Sequence, residues 1–325
     1  CVAETYAKHI LNIQEQDTVY SVAKLFFAYG LGNGMIFPFS VGATSILFDG
    51  RPVPESIINI LKEHDPTIFY CVPTAYAALL DAAGIVDLSK TLSRLRTCIS
   101  AGEALPAKIS EEWHDLFDVD IIDGVGSTEM LHIFLSNNQK DVKYGSSGKP
   151  VPGYEVKLLD EVGNHVACGE IGELFVKGGS SATGYWNKLD KSRETFVGEW
   201  VKTGDKYYQS DDGYYYYCGR SDDMFKSGGN WVSPFEVESV LIKHDVVLEA
   251  AVVSHEDEQG NLKPKAFVVL KEGVDKDQGL EEELKSFVKK KIELWKYPRW
   301  IEFINELPKT ATGKIQRYRL HIENS

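Results

Sequence analysis

Apolar positions change period several times along the chain, and those changes outline a fold. Val2–Ile13 spaces its apolar residues like one face of a helix, and Asp17–Tyr20 opens a short apolar segment continued by Ala23–Gly34. Ala43–Phe48, Thr67–Val72, Leu95–Ser100 and Asp120–Asp123 read as strands, rich in apolar and β-branched residues. Helical spacing fills the gaps at Pro54–Glu63, at Pro73–Asp81 and after Pro106 through Leu116. Such alternation predicts an α/β portion built on a largely parallel sheet, with ligands gathering where strands end in loops. Turn residues at Gly145–Pro150 and Pro152–Gly153 precede strand signals at Glu155–Leu159 and Glu173–Val176. They predict a small, mainly β subregion attached to the α/β part. Tyr185–Asn187 and Arg193–Phe196 read as surface or hinge-near segments.

A tyrosine-rich strand, Tyr214–Tyr217, breaks off at Gly219-Arg220-Ser221-Asp222-Asp223, and paired glycines follow at Gly228 and Gly229. Ser233, Pro234 and Glu236 then have the spacing of a helix start: a cap, a first-turn proline and a capping-box glutamate. Beyond it Pro234–Lys243 and Leu280–Leu294 read as helices, with strands at Val246–Val253, Lys265–Leu270 and Trp300–Phe303. These elements make an independent α+β domain of roughly one hundred residues, an ordinary domain size. The boundary falls at Arg220–Asp223, dividing the chain into residues 1–220 and 221–325.

Composition narrows the function classes. With 48 acidic against 35 basic residues and a formal charge of -13, the chain disfavours nonspecific attraction to nucleic acid or anionic membrane. No apolar run is long enough to span a bilayer, so no membrane insertion is expected. Five scattered cysteines form no close metal-binding pair and fit a reducing, cytoplasmic setting. The first residue is Cys rather than Met, and a helical pattern is already running at Val2, so the chain reads as part of a longer one.

Four stretches carry residues suited to nucleotide chemistry, each with a plain structural reading beside it. In Gly124-Val125-Gly126-Ser127-Thr128-Glu129 the glycines can bring backbone donors near phosphate, Thr128 offers a hydroxyl and Glu129 a hard oxygen ligand for magnesium. The same residues could simply cap a helix. Asp205, closing Trp200-Val201-Lys202-Thr203-Gly204-Asp205, could hold two ribose hydroxyls or close a hairpin. Lys314, in Pro308-Lys309-Thr310-Ala311-Thr312-Gly313-Lys314, could meet phosphate or carboxylate oxygens or be solvated. The alternate glycines of Ala28-Tyr29-Gly30-Leu31-Gly32-Asn33-Gly34 suit either close helix packing or a flat aromatic cavity.

Taken in order, these segments resemble the adenylate-forming superfamily of acyl- and aryl-CoA synthetases, luciferases and peptide-synthetase adenylation domains. Within it the likeness is to benzoate-CoA and 4-hydroxybenzoate-CoA ligases. It is carried by Lys24–Gly34 and by Met130-Leu131-His132-Ile133-Phe134 after the Thr-Glu pair. The resemblance implies ATP-dependent activation of an aromatic carboxylate to acyl-AMP, with release of pyrophosphate, then transfer to coenzyme A. By it Gly102, Glu103 and Ala104 flank adenine, Asp205 holds the ribose, and Arg220 assists near ribose and phosphate. Thr128 meets the α-phosphate, Glu129 holds Mg2+, and Lys314 offsets charge in the adenylation step. Phe27, Ala28, Tyr29, Gly126, His132 and Ile133 surround the aryl acid, with the pocket near Gly126 left shallow by the absent side chain. Ser227, Gly228 and Gly229 face coenzyme A, and a small mobile domain turns about Asp222. A homodimer is left open. The family's phosphate loop ending in Pro-Lys-Gly is expected before Val2–Ile13, which makes these residues alone an inactive portion. Fatty-acyl ligase, carrier-protein adenylation domain and noncatalytic nucleotide-binding fragment are the other readings.

Overall fold

The computed structural model describes residues 1–82, 85–274, 276, 278–310 and 315–322. The chain divides into two units, Cys1–Thr203 with Tyr207–Tyr216, and Gly204–Lys206 with Tyr217–Ser325.

The first unit is organised on a seven-stranded sheet in the order β2-β1-β3-β4-β5-β6-β7. Its strands are β1 Thr18–Ser21, β2 Thr44–Ile46, β3 Ile68–Cys71, β4 Thr97–Ser100, β5 Ile121–Gly126, β6 Ile133–Ser136 and β7 Lys149–Pro150. Strands β1 to β5 run parallel, whereas β6 and β7 are antiparallel additions beyond β5. All four residues of β3 and of β4 are buried, as expected of parallel strands covered on both faces. Helices Pro54–His64, Pro73–Leu80 and Ala107–Phe117 join successive strands. Trp113 fills the centre of the layer they form, stacked at 6.2 Å on Phe69 and edge-on at 4.8 Å to Tyr76.

Two departures from the apolar pattern have local causes. The strand expected over Ala43–Phe48 is confined to Thr44–Ile46, because the Lys24 ammonium takes the carbonyls of Phe48 and Gly50. The helix expected through Leu294 ends at Lys289; beyond it Lys296 binds Glu236 and Glu293, which holds the chain in turns. The predicted β subregion forms a second sheet from β8 Tyr154–Leu159, β9 Gly172–Gly178, β10 Phe196–Val197, β11 Trp200–Gln209 and β12 Tyr215–Arg220.

In the second unit β13 Phe225–Ser227 and β14 Asn230–Val232 form a hairpin, with Gly228 at φ 60° and Gly229 at φ 84°. Two consecutive left-handed positions are what a two-residue hairpin turn needs, and only glycine takes both without strain. Helix Pro234–Ile242 follows, and Ser233 Oγ accepts the Glu236 N–H at 3.0 Å as its cap. A three-stranded sheet of β15 Val247–Glu256, β16 Leu262–Leu270 and β17 Trp300–Phe303 completes the unit. Along β15, Ala250 and Val252 pack with Val237, Leu241 and Leu284, while Ala251 and Val253 pack with Phe267, Leu307 and Leu320. The sheet is therefore buried on both faces by its own unit.

One charged group anchors the entry to the large sheet. The buried Asp17 carboxylate accepts from Arg96 Nη2 at 2.6 Å, Thr67 Oγ1 at 2.7 Å and the Gln14 N–H at 2.9 Å. Burial opposes ionisation there, but the hydrogen bonds from Arg96, Thr67 and Gln14 outweigh it and hold the carboxyl below its ordinary range. A depressed native pKa contributes stability that is present above the unfolded value and lost as pH falls through the native one. Asp17→Asn is therefore expected to lower stability at neutral pH by about 3 kcal/mol, since it strands Arg96. Urea unfolding at several pH values measures this, and the gap to wild type should close below about pH 4.

Candidate active site

Between β5 and β6 the chain reverses at Ser127–Leu131, where the Met130 N–H bonds Ser127 O at 3.3 Å and the Leu131 N–H bonds Thr128 O at 3.1 Å. Leu131 takes a left-handed conformation, φ 66°, to complete the turn. Thr128 is exposed and Glu129 half-buried. A strap from the following segment crosses the turn: Ala182 N–H donates to Glu129 O at 2.7 Å and Ser180 Oγ to Met130 O at 2.7 Å. The Tyr185 hydroxyl donates to the Glu129 carboxylate. Burial works against the Glu129 charge, yet the bonds from Tyr185, its own N–H and Ser127, with Lys191 nearby, hold its pKa below the ordinary value. Glu129 is thus an ionised, hard oxygen donor at neutral pH. Among the described residues no group of three or more His, Cys, Asp or Glu side chains could hold a metal. A single carboxylate nevertheless fits Mg2+, which commonly takes its other ligands from phosphate and water.

On the other side of this turn lies an apolar enclosure. His132 is 3% exposed, and its ring lies 4.5 Å from Phe37, 5.4 Å from Tyr6 and 5.7 Å from Tyr29, between centroids. Its Nε2 is 3.1 Å from Asn33 Oδ1. A wide helical turn at Gly32–Ile36 brings Asn33 to this position. A side chain at Gly32 would place Cβ 2.3 Å from His132 Cδ2, so the imidazole needs a glycine there. Burial pushes the His132 pKa down to about 3, leaving the ring neutral at physiological pH. The Tyr29 hydroxyl donates to Cys71 O at 3.2 Å and Ile99 O at 3.3 Å, fixing its ring over the ends of β3 and β4.

The structure thus brings Tyr29 and His132 into one cluster, with Phe27 and Ala28 entering the same short helix, Ala28–Leu31. Ile133, which follows His132 and opens β6, is buried. Gly126 has a different reason from the one expected. A Cβ there would come within 2.5 Å of His132 O and 2.7 Å of Ile133 N, so backbone, not open space, occupies the position. Sequence reasoning missed Tyr6, Asn33, Phe37 and Tyr185. Asn33 carried a signal, a polar residue among alternate glycines and aromatics. Tyr185 carried none, since its partner Glu129 lies 56 positions away.

Gly102, Glu103 and Ala104 leave the end of β4, with Gly102 exposed at φ 97°. Behind them sits another residue the pattern did not single out. Asp123 on β5 is 6% exposed, and its Oδ1 has no hydrogen-bond partner. Burial drives its pKa well above the ordinary carboxyl value, although the N–H groups of Gly124 and Leu105 bond it.

In the second unit Arg220 Nη1 binds Asp205 Oδ1 at 2.9 Å. A Cβ at Gly204, itself at φ 75°, would lie 2.8 Å from Arg220 Nη2, so the glycine makes room for the guanidinium. Asp222 is exposed in the turn after β12, where the N–H groups of Asp223 and Met224 both bond Arg220 O at 3.1 Å. Ser227 points inward and is 1% exposed, whereas Gly228, Gly229 and Asn230 are exposed. Lys314 lies outside the described residues.

Residues 1–186 match the family model of the AMP-binding enzyme, and residues 236–314 match that of the AMP-binding enzyme C-terminal domain. A benzoate–CoA ligase of Thauera aromatica is 56% identical over 319 residues, which are 98% of this chain and 60% of that protein. A 4-hydroxybenzoate–CoA/benzoate–CoA ligase of Rhodopseudomonas palustris is 54% identical, over 98% of this chain and 59% of that protein. Among solved structures, a benzoate CoA ligase from Burkholderia xenovorans superposes with TM-score 0.93 at 55% identity, covering 98% of this chain and 64% of that one. An anthranilate CoA ligase in complex with anthranoyl-AMP gives TM-score 0.95 at 48% identity, over 99% and 62%. The chain thus spans about 60% of the length of the curated relatives it matches. The α/β unit with its mixed sheets, followed by a smaller α+β unit, is the adenylate-forming fold. The chain belongs to the AMP-binding enzyme family.

Proposed function

We propose that the protein carrying this chain activates an aromatic carboxylate with ATP and passes the acyl group from acyl-AMP to coenzyme A. One observation carries the reading: the ionised Glu129 and the neutral, aromatic-walled His132 stand three residues apart on the β5–β6 connection. A flat apolar acid needs the second environment and a polyphosphate the first. The relatives named as benzoate–CoA and 4-hydroxybenzoate–CoA/benzoate–CoA ligases support the choice of acid.

In this reading Tyr29, His132, Phe27, Ala28 and Ile133 seat the ring, Gly126 lets its strand pass close to the His132 backbone, and the neutral imidazole offers the substrate carboxylate no charge to pair with. Its negative charge is instead kept for attack on the α-phosphorus, where Thr128 and Lys314 meet the developing charge. Asp205 holds the ribose beside the Arg220 guanidinium that pairs with it, and Gly102–Ala104 flank the base. Glu129 holds Mg2+, which when bound supplies charge neutralisation on the phosphate oxygens. Gly228 and Gly229 face coenzyme A; a Cβ at either would meet no atom within 4 Å in the chain itself. Ser227, turned inward, supports this hairpin rather than touching the thiol carrier.

Acid-dependent ATP–pyrophosphate exchange tests the proposal with benzoate, 4-hydroxybenzoate and a medium-chain fatty acid. Exchange is expected with the aryl acids, and preference for the fatty acid would reject the assignment. Because His132 stays neutral, the KM for benzoate should change by less than about twofold between pH 6 and 8. A step near pH 6.5 would mean that a histidine titrates in the pocket. Glu129→Gln is expected to lower exchange roughly 100-fold or more and to raise the Mg2+ concentration required. In the same reading the small unit pivots at Asp222, which is exposed in the turn after β12. Asp222→Pro should impair the overall reaction far more than exchange or thioester formation assayed separately; equal loss in both half-reactions would remove the pivot from that position.

A further inference from the structure

We propose that Tyr185 is a positioning residue for Glu129: it engages one carboxylate oxygen, leaves the other to a small divalent cation, and so favours Mg2+ over Ca2+. The inference rests on the proposed role of Glu129 as a ligand to nucleotide-bound Mg2+. The Tyr185 hydroxyl donates to Glu129 Oε1. A carboxylate binds a cation through one oxygen or chelates it through both. Ca2+ takes carboxylates in either mode, whereas Mg2+ demands a compact octahedron that keeps several of its waters. A hydroxyl already donating to Oε1 competes with a cation there and biases the side chain toward the one-oxygen mode.

A hydroxyl can direct a carboxylate only if its own ring is held, and the ring of Tyr185 is. Its N–H donates to Ser192 Oγ at 2.8 Å, and that hydroxyl donates on to Lys188 O at 2.8 Å. The ring meets Phe196 edge-on at 5.5 Å between centroids, and the Lys191 ammonium lies 5.1 Å from its centre. Earlier in the same segment Ser180 Oγ joins the Tyr154 hydroxyl, at 2.8 Å, to Met130 O, at 2.7 Å. The Ala182 N–H takes Glu129 O at 2.7 Å. One strap therefore grips residue 129 twice, at its carbonyl through Ala182 and at its side chain through Tyr185. Outer partners of this kind fix the direction of a metal-binding carboxylate and tune what it binds.

The test is calorimetric binding of α,β-methylene-ATP to the protein carrying this chain, with Mg2+, with Ca2+ and with neither. In wild type, Mg2+ is expected to tighten binding more than Ca2+ does. Tyr185→Phe should cut the Mg2+ gain about tenfold, while the Ca2+ gain and the affinity without a cation each stay within about twofold. An unchanged Mg2+ gain, or equal loss of both gains, overturns the proposal. So does a comparable loss of affinity without any cation, which would make the tyrosine a merely structural residue. If Tyr185→Phe does not fold, Ser192→Ala frees the backbone behind the ring. It should then cut the Mg2+ gain about threefold with the Ca2+ gain kept, and no such asymmetry overturns the proposal. Pyrophosphate exchange separates this inference from the functional reading. If wild type exchanges with no aryl acid yet binds the analogue more tightly with Mg2+, the aryl-ligase reading fails and the binding ratios alone decide for or against Tyr185. A wild type that gains nothing from Mg2+ removes Glu129 as a cation ligand and overturns the proposal with it.

Discussion

The reversal between β5 and β6 is the constraint on which the candidate site depends. Five residues must turn the chain back while exposing Thr128 and leaving the Glu129 carboxylate half-buried and charged. The turn's own bonds do not suffice: the His132 N–H reaches Met130 O at 2.8 Å, but the Glu129 carbonyl takes its donor from outside the turn. Ala182 satisfies that carbonyl, Ser180 adds a second donor to Met130 O, and Tyr185 satisfies the carboxylate. Unmet, each buried polar group would cost about 1–3 kcal/mol, enough to let the turn relax and the carboxylate swing toward water.

The same reversal separates two environments over three residues. Glu129 keeps its charge because donors converge on it; His132 loses its charge because aromatic rings and Gly32 surround it. The order would matter for the proposed reaction between two anions. In that reading a protonated histidine beside the ring would bind the acid tightly in its ground state, and attraction spent there does not lower the barrier. Neutrality has a cost in acid: below about pH 6.5 the unfolded chain takes up a proton that native His132 refuses. Each further pH unit then removes up to about 1.4 kcal/mol of stability until the native value is reached.

How much of this could be read from residue order depended on range. The parallel strands are legible, since β3 is an unbroken apolar run and β4, Thr97–Ser100, pairs two apolar residues with small or β-branched polar ones and is buried throughout. So is the start of helix Pro234–Ile242, where cap, proline and first-turn glutamate lie within four residues. Tyr29 and His132 could be placed in one pocket only by resemblance, because their contact joins positions about a hundred apart. The strap on Glu129 is illegible for the same reason, and Tyr185 reads as part of a surface or hinge-near segment. Ser227 is turned toward coenzyme A by the resemblance alone, whereas in this structure β-strand alternation buries its side chain. Local chemistry is written in short spacing, while pairings that close a loop of fifty residues or more leave no periodic trace.

Packing explains how the smaller unit can carry a role of its own. Its sheet is covered on one face by helices Pro234–Ile242 and Gln278–Lys289 and on the other by Leu307 and Leu320, so no face of it needs outside cover. Hydrophobic burial of Leu307 and Leu320 brings their segments against β15, and the Glu249–Lys309 and Glu238–Arg317 pairs then set the direction of Lys309 and Arg317. Apolar contacts tolerate sliding by an ångström or so, whereas a several-donor ion pair does not. The described C-terminal segments of this unit therefore owe their proximity to the core and their direction to two ion pairs.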